Sequence, residues 1–147
     1  MQQPYACAIV PGNPSDRLRV GFDLVKISGV ADSLSQFGDD FRHRLFTASE
    51  LEYADSGSGV CAERLAARFA AKEAVIKALN LANAGVNFRD IEVVKLDSGA
   101  CELVIHGRVA ELIGQLNIVQ MAVSLSHDGD YAGAFVTVLC KAPASGE

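Results

Sequence analysis

The segment Ala62–Leu81 (AERLAARFAAKEAVIKALNL) constrains this chain more than any other. It is rich in alanine and holds neither glycine nor proline, so it reads as one long helix. At about 100° per residue, Leu65, Phe69, Ile76 and Leu79 fall on one apolar stripe. Two features break that simple pattern. Lys72 projects into the stripe, where its ammonium must reach water or meet an anion. Glu73 and Lys77, at i and i+4, sit at the edge of the stripe beside Ala66 and Ala70, whose small side chains leave room for a ligand. As a plain surface ion pair these two would be worth only about 0.3–0.5 kcal/mol.

The rest of the chain supplies strands and shorter helices. Arg19–Ile27 (RVGFDLVKI) alternates like a strand, with Val20, Phe22 and Leu24 on one face. Asp23 falls on the other face beside Val25 and Ile27, where a carboxylate is costly unless something pairs with it. A helix is expected over Ser33–Leu45, from Phe37, Phe41 and Leu45 at i, i+4 and i+8. Thr47-Ala48-Ser49-Glu50 reads as a capping box, with Phe46 and Leu51 as its hydrophobic staple, so a further helix starts at Ala48. Ser56-Gly57-Ser58-Gly59 ends it. Ile91–Leu96 and Ala100–His106 flank Asp97-Ser98-Gly99 as a hairpin. A helix over Gly107–Leu116 follows, then strands Ile118–Ser126 and Tyr131–Cys140 joined by His127-Asp128-Gly129-Asp130. The order β-α-α-α-β-β-α-β-β, with strands joined mainly as hairpins, predicts an α+β fold.

With 147 residues, half of them hydrophobic, the chain can fill one core. Residues 1–18 lack periodicity and read as an extension, 19–141 as the domain, and 142–147 as a frayed tail. The net charge of −5 argues against non-specific nucleic-acid binding, although a local basic patch could hold one phosphorylated ligand. No apolar run approaches the roughly 18 residues of a membrane span. Met1-Gln2-Gln3-Pro4 lacks a positive leader region, so a cytoplasmic location is expected. Cys7, Cys61, Cys101 and Cys140 have no metal-site spacing and read as small hydrophobes. Neither common type of glycine-rich phosphate loop occurs. Ser126 and His127 are adjacent in a strand and point to opposite faces, which disfavours a serine nucleophile. At a strand end, His127 reads better as a phosphate or carboxylate contact, whereas His43 and His106 read as surface or cap residues.

Four segments carry a family resemblance. Gly21-Phe22-Asp23-Leu24-Val25 resembles the GxDxV strand of the 4′-phosphopantetheinyl transferase superfamily. Phe41–Leu51 (FRHRLFTASEL) is similar to its FxxRxFTxxEL segment. Arg68–Ala78 (RFAAKEAVIKA) is similar to its central helix motif, and Ser124-Leu125-Ser126-His127 to its SxSH strand end. They occur in family order over residues 19–140, and the length resembles the short single-repeat class, the holo-[acyl-carrier-protein] synthases.

The resemblance implies an antiparallel sheet packed on the long central helix. It implies transfer of 4′-phosphopantetheine from coenzyme A to a serine hydroxyl of an acyl carrier protein, with release of 3′,5′-ADP. Asp23 and Glu73 match the family's Mg²⁺ ligands. Lys77 would meet the leaving phosphate, and Glu73 would activate the serine hydroxyl. Arg68, Lys77, His127, Arg64 and Gly99 would contact coenzyme A, and the assembly would be a homotrimer with coenzyme A between protomers. A rival reading is a non-catalytic module of the same fold that binds coenzyme A or the carrier. Departures from the family pattern fall at Asn80, at Gly99-Ala100-Cys101, at Gly59 and Val60, and at Gly29. The last of these removes the usual carrier-docking arginine and leaves Lys26, Arg42 and Arg44 as the expected docking cations, with a less acidic carrier preferred.

Overall fold

The computed structural model describes residues 16–142. Strand β1 (Arg17–Lys26) leads into helices α1 (Ile27–Phe37), α2 (Asp39–Leu45), α3 (Ala48–Asp55) and α4 (Cys61–Leu79). Strands β2 (Ile91–Lys95) and β3 (Cys101–Ile105), helix α5 (Gly107–Gly114), and strands β4 (Ile118–Asp128) and β5 (Tyr131–Cys140) follow. The α+β class and the long central helix agree with the sequence reading.

Three local differences have plain causes. The single helix expected over Ser33–Leu45 is two helices, because Gly38 adopts φ 53° and ψ −128°, a conformation that side chains rarely tolerate. The element order therefore gains a helix. The antiparallel strands form two sheets rather than one, with orders β1-β5-β4 and β2-β3. The turn expected at His127–Asp130 tightens, since His127 and Asp128 continue β4 opposite Ala132 and Tyr131. At the domain's ends, Arg17 and Leu18 pair within β1, and the Ala142 N–H donates to Asp16 Oδ1 at 3.1 Å. Residues 1–15 of the expected extension and 143–147 of the expected tail lie outside the described residues.

Helix α4 is the centre of the packing. Leu65, Ala66, Ala70, Ala71, Ala74 and Val75 are wholly buried on it. Its alanines let the three-stranded sheet lie close, and Ala134, Val136 and Val138 of β5 share one core with Val75, Leu79, Ile91 and Val93. A second cluster joins Val30, Phe46, Leu51 and Ala54 to Leu65 and Ala66. The helix stops at Asn80, which takes the left-handed conformation (φ 56°, ψ 46°), and the Leu81 N–H closes a six-to-one bond on the Ile76 carbonyl at 2.9 Å. Asparagine thus serves where glycine is usual. The opposite face of the three-stranded sheet is apolar but uncovered: Leu18, Val20, Phe22 and Leu24 of β1 stand exposed, with Tyr131 and Phe135 of β5. Among the described residues no helix is long and apolar enough to cross a membrane.

Candidate active site

Gly21 sets the geometry of the first cluster. A Cβ there would lie 1.9 Å from the Ala74 carbonyl oxygen, so only glycine lets edge strand β1 come this close to α4. Two residues on, Asp23 shares that inward face. Lys77 Nζ donates to Asp23 Oδ1 at 2.8 Å and to the Phe22 carbonyl at 3.1 Å. Glu73, one helical turn before Lys77, is half-buried. Burial and then the Asp23 charge push its carboxyl above the ordinary glutamate value, while Lys77 pulls it back. The three residues expected to carry the chemistry therefore meet, although they come from two elements about fifty residues apart.

The donor chemistry of this cluster fits Mg²⁺. The Asp23 charge disfavours ionisation of Glu73, and Lys77, the one cation bonded here, pairs with Asp23, so two carboxylates face one lysine. Mg²⁺ is held by one or two carboxylates and completes its shell with phosphate oxygens and water. Among the described residues no group of three or more metal-ligating side chains occurs, so a cation here would rest on Asp23, Glu73 and ligand oxygens.

Arg64, Arg68, Gly99 and His127 form a second cluster around a cavity of about 290 Å³, with Tyr53, Glu63 and Lys95. Gly99, at φ +90°, turns the β2–β3 hairpin beside it. Arg64 Nη1 donates to the Tyr53 carbonyl at 2.7 Å and the Ser56 hydroxyl at 3.0 Å. His127 Nε2 lies 3.4 Å from Glu63 Oε1. Tyr53 and Lys95 were not legible in the sequence, since no motif or periodicity marks either.

The two clusters are apart within one chain. Asp23 lies on β1 and His127 on β4, with β5 between them, roughly 10 Å of sheet. On α4, Arg68 and Glu73 are five residues apart, about 140° around the helix axis.

Lys72, expected to need an anion, has one. It is fully buried, its Nζ 2.9 Å from Glu50 Oε2 and within hydrogen-bond reach of the Phe88 and Ile91 carbonyls. Glu50 closes the capping box by accepting from Thr47 N–H at 2.9 Å, and also accepts from Val93 N–H at 2.8 Å. Burial pulls the Lys72 ammonium below its ordinary value, and Glu50 opposes that. Arg42, expected among the docking cations, is engaged: both its terminal nitrogens bond Asp55. Cys61 joins that pair, its thiol 3.5 Å from Asp55 Oδ1, and burial raises its pKa. It is thus more than the small hydrophobe expected. Lys26 lies 6.0 Å from the Tyr131 ring centroid, and Arg44 is exposed.

A family profile described as the 4′-phosphopantetheinyl transferase superfamily matches residues 19–136. The holo-[acyl-carrier-protein] synthase of Gloeobacter violaceus is 42% identical over 121 residues, 82% of this chain and 92% of that protein. The holo-[acyl-carrier-protein] synthase of Carboxydothermus hydrogenoformans is 42% identical over 114 residues, 78% of this chain and 91% of that protein. Among solved structures, the Chronobacterium ammoniagenes ACPS–CoA complex superimposes with a TM-score of 0.76 at 38% identity, covering 85% of this chain and 98% of that one. The Helicobacter pylori holo-[acyl-carrier-protein] synthase in complex with coenzyme A gives 0.71 at 28% identity, with coverage of 81% and 98%.

Proposed function

The chain belongs to the 4′-phosphopantetheinyl transferase superfamily, and from that membership we propose that it moves 4′-phosphopantetheine from coenzyme A to a serine hydroxyl of an apo-acyl carrier protein. The observation that carries this reading is the meeting of Asp23, Glu73 and Lys77 where β1 crosses α4. The serine oxygen forms a bond to the phosphorus that bears the pantetheine arm. The bond from that phosphorus to the bridging oxygen breaks, and 3′,5′-ADP leaves with the electron pair. Glu73 takes the serine proton, and its raised proton affinity suits that role. Lys77 places its ammonium against the charge that develops on the leaving group. Asp23 and Glu73 would hold Mg²⁺, which when bound neutralises phosphate charge. Arg64, Arg68 and His127 bind phosphate of the donor, and Gly99 leaves its flank open.

The assembly we propose is a homotrimer with donor sites between copies. Two observations favour it. The phosphate-binding cluster and the Asp23 cluster face away from each other on α4, so a neighbouring copy is the natural source of the second half. The uncovered face of Leu18, Val20, Phe22 and Leu24 offers the apolar surface such an assembly buries. Lys26 and Arg44 remain for the carrier, since Asp55 occupies Arg42.

Intact-mass measurement of apo-carrier protein incubated with coenzyme A and Mg²⁺ tests the reading. Transfer requires a phosphopantetheine mass gain on the carrier, matched by 3′,5′-ADP. A module that only binds gives neither product. Release of 3′,5′-ADP without a carrier would indicate a nucleotide hydrolase instead.

A further inference from the structure

The cavity beside Gly99 collects more positive charge than the helix motif accounts for. Arg64 and Arg68, one turn apart on α4, each hold the guanidinium carbon 4.2 Å from the Tyr53 ring centroid. Lys95 arrives from another element, the last position of β2. Its Nζ is 3.2 Å from the Tyr53 hydroxyl and 5.5 Å from the ring centroid. Tyrosine suits this place because its ring face attracts cations while its hydroxyl anchors one at the edge.

These cations lack counter-charge. Among the described residues no carboxylate lies within 4.0 Å of Arg64, Arg68 or Lys95. Glu63, the acid that lines the cavity, faces His127. Arg68 is 3% exposed, and its Nε has no hydrogen-bond partner.

We infer that Lys95 is a third phosphate-binding cation of this cavity, and that Tyr53 is the positioning residue that gathers Lys95, Arg64 and Arg68 around one phosphate monoester. The inference rests on coenzyme A as donor. Coenzyme A offers two kinds of phosphate, a pyrophosphate diester and a 3′-monoester. The monoester carries about −1.5 to −2 charge on three terminal oxygens, which matches a cavity where Arg64, Arg68 and Lys95 outnumber the one lining carboxylate, Glu63. The diester suits the mixed-charge Asp23 cluster, where the bond breaks.

Calorimetric titration of the full-length protein with coenzyme A and with dephospho-coenzyme A, which keeps the diester and lacks the 3′-monoester, tests this. Wild type binds coenzyme A more tightly. Lys95→Met, at an exposed position, loses about tenfold for coenzyme A and nothing for dephospho-coenzyme A. Tyr53→Phe keeps the ring and loses the hydroxyl anchor, so the same preference narrows by about threefold. A Lys95→Met variant that binds both ligands like wild type, or loses both equally, overturns the inference. So does a wild type that binds the two equally well. A wild type that binds neither overturns the donor reading above, and this inference with it.

Discussion

Lys72 and Glu73 are neighbours in the chain, yet their charges have opposite fates. Lys72 turns inward to Glu50 and two backbone carbonyls, and no part of its side chain meets solvent. Every donor and acceptor of that pair is used within the fold. Glu73, about 100° further around the helix, turns to Asp23 and Lys77 and remains half-buried. Its proton affinity is raised because burial and Asp23 outweigh what Lys77 returns. Folding completes the first set of charges and leaves the second incomplete. An ion pair completed by the fold is structural; charge that the fold leaves unmet is available to a ligand.

Removing one partner of the completed pair should have the largest effect. Lys72→Met leaves the Glu50 carboxylate, 1% exposed, with only backbone N–H donors. The expected cost is about 3–5 kcal/mol, or a melting temperature lower by roughly 10 °C in thermal unfolding. A variant that melts like wild type would mean that the pair does not hold α3 against α4.

Gly21→Ala joins the two regions in one experiment. The added methyl meets the Ala74 carbonyl and forces β1 away from α4, at about 1–3 kcal/mol. Because Asp23 moves with the strand, transfer rate should fall further than the stability loss explains. Normal turnover in a destabilised variant would separate the site from the strand contact.

The pH profile sharpens the contrast. Glu73 must be ionised to accept a proton, and in Mg²⁺-free protein, followed by NMR, its titration limb should have a midpoint above the ordinary glutamate value of 4.5, which bound Mg²⁺ would draw down. Lys77 lowers the Glu73 pKa, so Lys77→Met should move that limb to still higher pH while reducing the rate. A limb that stays fixed would remove Lys77 from the environment of Glu73.

The smallest effect is expected at the carrier. Lys26→Glu should raise the carrier KM about two- to threefold at low salt and leave the coenzyme A KM unchanged, with the difference vanishing at high salt. Equal carrier KM values at low salt would leave Lys26 without a part in docking.

Much of this was legible because local chemistry and tertiary packing agree. The capping box at Thr47, the unbroken helix after Gly59 and the hairpin at Gly99 all specify their own geometry. Asp23 stood out as a carboxylate in a strand, and Glu73 with Lys77 as charges at the edge of an apolar stripe, but that the three belong to one site was implied only by the resemblance of the GxDxV strand and the central helix motif. Gly38 was misjudged because helical spacing of Phe37 and Phe41 continues across it, while its positive φ cannot be read from spacing. The division into two sheets depends on which strands pair, and periodicity does not record pairing. Tyr53 and Lys95 escaped notice because they act through a contact between α3 and β2, which sequence distance hides.

The central claim is that α4 completes its charge at Lys72 and withholds it at Glu73 for chemistry. The measurement that tests it most directly is thermal melting and carrier-modification rate, taken on the same Glu73→Gln sample, with Asp23→Asn beside it. A glutamate whose folded pKa is raised favours the protonated state. Its ionisation therefore costs stability as pH rises above the unfolded value, and that cost is absent below it. Near neutral pH the account predicts that Glu73→Gln melts no lower than wild type while its rate falls by about 10²–10⁴. Any gain in melting temperature should fade as pH drops below 4.5. Asp23→Asn should likewise stay folded and lose most of its rate. A Glu73→Gln protein that melts lower yet modifies the carrier at the wild-type rate would contradict the account.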